Sequence, residues 1–340
     1  NLHALQQVSA SGRAYSPSFG GGTCDVEFEA LTGYSVSFLP NGSKPYQQHV
    51  TKPMFAMPNY LKSRGYQTAA VHCFWAKYWS RDKAYPNLGF DDFISLEDMH
   101  GVTKVRKYYW TSGLVTDDSM ADQIIQQYES MKASSDKPVF LHAVTMQNHT
   151  NYNKDNYPDD QRVKVTEAPA GLKASTVGAL EDFATGIRDA DAMLGRLTAY
   201  FEERGEPVVL VFYGDHLPYL GDNQKGYAEL GSEVAAAEND RTDILCSYKT
   251  PYVIWANSAA AETLDWDSAV ASLELPEDGV ISAAFLGSTL LDLTGRTGED
   301  PWFDFLGSLR RTTPVVQKKT YILADGTVLP QRILNEQTDE

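Results

Sequence analysis

The chain has 340 residues, enough to bury one large α/β domain or one and a fraction. Its 45 acidic side chains outnumber 29 basic ones, and the net charge of -16 argues against nucleic-acid binding, since phosphate would be repelled and no Lys/Arg run compensates. The composition, 42% hydrophobic and 22% charged, is that of a globular protein, and no apolar stretch is long enough for a membrane span. Cys24, Cys73 and Cys246 are too few and too scattered for a disulfide framework or a zinc knuckle. The sequence opens at Asn1 without Met or a signal peptide, as an excised fragment would.

The elements in chain order begin with Phe19-Gly20-Gly21-Gly22-Thr23-Cys24-Asp25, a glycine run leading into a helix start. A helix ending at Gly65 precedes the strand Thr68–Phe74. Lys104-Val105-Arg106-Lys107, followed by Tyr108, Tyr109 and Trp110, reads as a solvated loop. A helix from about Asp117 to Met131 leads to the strand Val139–Thr145. Phe183, Ile187, Ala190, Leu194, Leu197 and Phe201 share one face of a long helix that Gly205 ends. The strand Val208–Phe212 follows, apolar throughout and expected to be buried on both faces. Leu220 to Asp243 reads as a long loop, Tyr252–Ala256 as a strand, and Ser282–Leu293 as a helix. The alternation predicts a doubly wound, mostly parallel α/β sheet flanked by helices. Thr320–Leu329, with Gly326 in its turn, predicts a small antiparallel hairpin. The expected division is a catalytic domain over 1–300 and a C-terminal helix and hairpin subdomain over 301–340.

Chemistry concentrates at strand ends. Asp215 and His216 lie just past the strand Val208–Phe212, where open α/β sheets bind ligands. One oxygen and one nitrogen suit a divalent cation, although a capping Asp beside a bystander His fits equally well. Thr23 places a hydroxyl at a helix start behind three glycines. Cys24 competes with it as a nucleophile, but its local neighbours are acids, Asp25 and Glu27. His149 follows the strand Val139–Thr145 and suits substrate contact or proton transfer. Trp79 and Arg81 follow the strand ending near Phe74; Arg holds phosphate bidentately, or here pairs with Asp82. His72 reads either as a core histidine or as a site residue.

Together, Gly22-Thr23-Cys24-Asp25-Val26-Glu27-Phe28, His72 with Tyr78-Trp79-Ser80-Arg81-Asp82, Asn148-His149, Tyr213-Gly214-Asp215-His216 and Pro301–Leu306 run in family order. The set resembles the lipoteichoic acid synthase and phosphoglycerol transferase branch of the sulfatase/alkaline phosphatase superfamily, over about Gly20 to Asp304. The resemblance implies an alkaline phosphatase/sulfatase-like fold. It makes Thr23 the nucleophile and a metal ligand, and gives Asp215 and His216 the rest of the protein's side of the metal site. It assigns His72, Trp79, Arg81 and His149 to a glycerol-phosphate pocket, with His149 also catalytic. The implied metal is Mn, with Zn or Mg as alternatives; the implied donor is the phospholipid phosphatidylglycerol, and the acceptor a polyol or glycan. The implied location is the outer face of a bacterial cell membrane, as the ectodomain of a multi-pass membrane protein.

Two departures stand out. The family's first strand carries a metal-binding Glu well upstream of the threonine, and only 22 residues precede Thr23. Phe74 stands where the family often has Asp. The formylglycine route of sulfatases is excluded, because Val26 and Phe28 occupy the places of its Pro and Arg. The expected reaction is transfer of phosphoglycerol through a phospho-threonine. Its rivals are a phosphodiesterase, a phosphoethanolamine transferase or a sulfatase on the same fold, or a catalytically silent domain binding anionic glycolipid.

Overall fold

The computed structural model describes residues 1–105, 113–221, 225–236, 244–276, 278–317 and 320–330. The basic–aromatic stretch from Arg106 to Trp110 and parts of the 220–243 segment lie outside them. In chain order the strands are β1 (Ala10–Tyr15), β2 (Gln67–His72), β3 (Asp92–Ser95), β4 (Lys104–Val105), β5 (Leu114–Val115), β6 (Val139–Val144), β7 (Val209–Tyr213), β8 (Lys249–Ala256), β9 (Ile281–Ser282), β10 (Val315–Gln317), β11 (Thr320–Ile322) and β12 (Val328–Pro330). The longer helices are α1 (Thr23–Thr32), α2 (Arg81–Leu88), α3 (Asp117–Ser134), α4 (Ala174–Arg204), α5 (Leu286–Leu293) and α6 (Pro301–Thr312). Two compact units emerge: residues 1–49, 198–217 and 248–340 form the first, 50–197 and 218–247 the second.

The first unit holds a sheet in the order β7-β8-β1-β9. β8 runs antiparallel to both β1 and β7, whereas β1 and β9 are parallel, so three of the four strands share a direction. Tyr252, Val253 and Ile254 of β8 are fully buried, as a central strand requires. β7 differs from the expectation of burial on both faces: all five of its residues are half-buried. It pairs with β8 in the first unit's sheet. At the C-terminus, β10-β11-β12 forms an antiparallel sheet that contains the expected hairpin and adds a third strand. Ser282 joins this sheet to β9, receiving the Val316 N–H on its hydroxyl at 2.8 Å. α6 is tied to the end of α1 by Trp302, whose ring stacks on Tyr34 at 4.5 Å and whose Nε1–H donates to Thr32 O at 2.8 Å.

The second unit is built on the parallel sheet β3-β2-β6. β2 is paired on both edges, and Thr68 through His72 are all buried. Met120, Ala121 and Ile124 of α3 and Tyr85 and Leu88 of α2 are buried beside it in the same unit's core. Long α4 departs from the expected apolar face. Leu194, Leu197 and Phe201 are buried, but Ile187 is exposed, and nearer the N-terminus Asp182, Thr185 and Gly186 turn inward. The reason is a polar loop packed on that half. Asp182 Oδ2 accepts from Asn153 N–H and Asn156 Nδ2, both at 2.7 Å. Gly186 lies so close to Asn148 that an added Cβ would meet its Oδ1 at 2.1 Å. The expected 220–243 loop contains two short helical turns, Gly226–Glu229 and Glu233–Ala236.

Candidate functional site

Thr23 is the first residue of α1, and Gly22, not Thr23, caps that helix. Gly22 sits at φ 97°, where any other residue is strained, and a Cβ there would come within 2.7 Å of Ser18 Oγ. The glycine turn therefore frees the Thr23 hydroxyl from capping duty. That hydroxyl donates to Asp215 Oδ2 at 2.6 Å, across 192 residues of sequence. The glycine loop is fixed to the segment after β7 by the Gly20 N–H, which donates to Leu217 O at 2.9 Å.

His216 completes the group. Its Nε2 is 3.3 Å from the same Asp215 oxygen, and its backbone N–H donates to Asp215 Oδ1 at 2.9 Å. Its Nδ1–H donates to Leu217 O at 3.0 Å, so a neutral ring turns the Nε2 lone pair toward the carboxylate. Two lone-pair atoms at that separation need a proton or a cation between them. Thr23, Asp215 and His216 are thus brought together, all within the first unit. Among the described residues no group of three or more His, Cys, Asp or Glu side chains gathers for a metal. The hydroxyl, carboxylate and imidazole fit three positions of a divalent cation's shell and leave further positions to other donors.

The surroundings are acidic and mostly buried. Asp25 lies in the first turn of α1, pairs with Lys44 Nζ at 3.3 Å, and receives the Cys24 thiol on its other oxygen. Cys24 itself is fully buried, which removes it as a rival nucleophile. Glu27 accepts from Tyr46 Oη at 3.2 Å. Burial, with Glu27 and Asp215 nearby, holds the Tyr213 phenol above its ordinary range, so it remains a neutral group. Glu29, two turns along α1 from Thr23, is buried and pushed up to about 8 by desolvation, against hydrogen bonds from Val36 N–H and Ser35 Oγ.

In the second unit, His72 ends β2 and is buried, its Nδ1–H donating to Val144 O on β6 at 3.1 Å. Arg81 begins α2, is 1% exposed, and donates to Tyr78 O at 3.4 Å. Trp79 and Ser80 precede it, both in the left-handed region. His149 lies in the turn after β6, its Nδ1–H donating to Thr150 O at 2.7 Å. β2 and β6 are parallel neighbours with His72 opposite Val144, so the segments carrying all four residues leave one end of one sheet. The Cys73 thiol, raised to about 12 chiefly by burial, feels both Asp117 and Arg81 there.

Gln147 went unnoticed in the sequence. Its Oε1 accepts the Asp117 N–H at 2.6 Å, and its Nε2 donates to Tyr157 Oη at 3.0 Å and Asp189 Oδ2 at 2.6 Å. Its position directly before Asn148-His149 was the only available signal.

The comparisons place this architecture. The phosphoglycerol transferase GacH of Streptococcus pyogenes, solved with sn-glycerol-1-phosphate, superposes with a TM-score of 0.70 at 20% identity, covering 99% of this chain and 76% of that one. The lipoteichoic acid synthase LtaP of Listeria monocytogenes gives 0.66 at 18% identity, covering 99% and 82%. The fold is that of the alkaline phosphatase superfamily. The sulfatase family profile matches residues 1–296, and the chain belongs to the sulfatase family. Among curated relatives, a putative cyclic beta-1,2-glucan modification protein of Rhizobium meliloti is 31% identical over 316 residues, 93% of this chain and 45% of that protein. Lipoteichoic acid synthase 1 of Bacillus subtilis is 26% identical over 211 residues, 60% of this chain and 28% of that protein. The chain thus spans less than half the length of either relative. No helix among the described residues is long and apolar enough to cross a membrane.

Proposed function

We propose that this chain is the catalytic domain of a phosphotransferase that moves phosphoglycerol from phosphatidylglycerol to a hydroxyl of a glycan, through a covalent phospho-threonine at Thr23. The observation that carries the reading is the 2.6 Å hydrogen bond from Thr23 Oγ1 to Asp215 Oδ2, with His216 Nε2 3.3 Å from the same oxygen. The glucan-modifying name of the Rhizobium meliloti relative supports a glucan as the acceptor.

Asp215 holds the Thr23 proton along the direction in which it must leave when Oγ1 attacks phosphorus. The new Oγ1–P bond forms as the bond to the diacylglycerol oxygen breaks, and that oxygen takes up a proton. Attack by the acceptor hydroxyl then releases Thr23 and returns a proton to it. His216, kept in one tautomer by Leu217 O, preserves the Nε2 lone pair for a cation. A divalent metal held by Thr23, Asp215 and His216, manganese in our reading, would supply charge neutralisation at the attacking oxygen. By the family resemblance, Arg81, His72, Trp79 and His149 take the phosphoglycerol headgroup, with His149 also catalytic. We assign the reaction to the outer face of the cell membrane, where a lipid donor and an envelope glycan are both available.

The test is Thr23→Ala against wild type, assayed by diacylglycerol release from phosphatidylglycerol vesicles with and without glucan. Wild type incubated without acceptor should carry a phosphoglyceryl mass on the peptide containing Thr23. Turnover by the alanine variant at the wild-type rate would end the proposal.

A further inference from the structure

Phe74, the residue that departs from the family pattern, is the hub of an aromatic cluster in the second unit. It is 5% exposed and takes the rings of Trp75 and Tyr78 edge-on, with centroids 6.4 and 4.9 Å away. Those two rings face outward, Trp75 48% exposed and Tyr78 39%. Tyr78 in turn stands edge-on to Trp79 at 5.5 Å.

The display is held by the backbone. Tyr78 N–H donates to Trp75 O, Ser80 N–H to Lys77 O, and Asp82 N–H to Ala76 O, each at 2.9 Å. Leu96 N–H donates to Phe74 O at 3.1 Å. The Glu97 carboxylate receives the Ala76 N–H on both oxygens, at 3.3 and 3.1 Å, which puts an acceptor-only group next to Trp75.

We propose that Trp75 and Tyr78 form a stacking platform for the sugar rings of a glycan, with Glu97 accepting from its hydroxyls. The proposal rests on the reading that the acceptor is a glycan. Sugar rings carry apolar C–H faces that cover aromatic surface and an equatorial rim of hydroxyls that seek carboxylate acceptors. An anionic bilayer fits this surface worse. The chain carries a net charge of -16, and Glu97 beside the exposed ring would repel lipid phosphate, with Lys77 in the stretch as its opposing charge.

The experiment is titration of short β-linked gluco-oligosaccharides into wild type, Trp75→Ala, Trp75→Phe and Thr23→Ala, read by calorimetry. Phosphatidylglycerol vesicles are titrated in parallel, and thermal unfolding checks that each variant is folded. We expect wild type and Thr23→Ala to bind the oligosaccharide alike. Trp75→Ala should bind about tenfold more weakly, equivalent to about 1.4 kcal/mol, while Trp75→Phe keeps most of the affinity. Undiminished binding by Trp75→Ala overturns the platform, as does a wild type that ignores the oligosaccharide. Vesicle binding lost in Trp75→Ala, without oligosaccharide binding, overturns it in favour of a membrane contact. Because Thr23→Ala tests the chemistry and Trp75→Ala the platform, either reading can fail while the other stands.

Discussion

Glu29 makes the stability of the first unit depend on pH. Its side chain is 2% exposed, yet Oε1 accepts from Ser35 Oγ at 2.9 Å and Val36 N–H at 2.8 Å, so its contacts hold the chain just past the end of α1. Burial outweighs these bonds and raises the carboxyl from 4.5 to about 8. The native state therefore keeps a proton that the unfolded chain releases between those two values. Its contribution to stability is complete below about pH 4.5 and is lost as pH rises toward about 8. At about 1.4 kcal/mol per tenfold change in proton activity, the whole interval has a ceiling of roughly 5 kcal/mol. Glu29→Gln keeps an oxygen acceptor in place and cannot ionise. Calorimetric melting of both proteins from about pH 5 to about pH 8 should show the variant gaining on wild type, by about 1 kcal/mol per pH step. Groups that titrate in both proteins cancel in the difference. Parallel melting curves across that range would refute a neutral buried Glu29.

Two further substitutions probe the frame of the same unit. Asn257 is buried and fully used: Oδ1 accepts from Val208 N–H and Ala260 N–H, and Nδ2 donates to Phe201 O and Glu206 O. Asn257→Ala strands four backbone groups and removes a helix cap, so chemical denaturation should register a loss of about 2–4 kcal/mol. Arg310 on α6 is 2% exposed, donating to Asp292 Oδ2 at 2.7 Å and Thr289 Oγ1 at 3.2 Å on α5. Asp292→Ala leaves that guanidinium buried without its carboxylate and should cost about 3–5 kcal/mol, whereas Asp292→Ala with Arg310→Met should recover much of the loss. Equal stability of the single and double variants would count against the pair.

The features that could be read in advance depend on local rules. Gly65 and Gly205 end helices because few other residues tolerate the left-handed turn, and apolar runs after them become β2 and β7. The Gly20–Gly22 run announced a tight turn before a helix, and Asp215-His216 stood out against the apolar strand before it. What escaped depends on partners distant in sequence. The reversed direction of β8 is set by its neighbours β1 and β7, not by its own composition, which suits either direction. The inward-facing Asp182 and Thr185 break the rule that a core face is apolar, and only the Asn153–Asn156 loop explains them. Glu29 and Gln147 look like ordinary polar residues until burial is known.

The pairing of Ala10 with Ile254 bears on how the protein is made. β1 leaves the ribosome before its neighbour β8, which follows only after all of the second unit has been synthesised. The hydroxyl of Thr23 therefore waits through the synthesis of 192 further positions for Asp215 to arrive. Contacts this remote along the chain carry a large loop-closure entropy and form slowly. Residues 50–197 can begin to collapse while the first unit is still incomplete, so the nascent chain has no assembled reactive centre until the segment carrying Asp215 and His216 has been made.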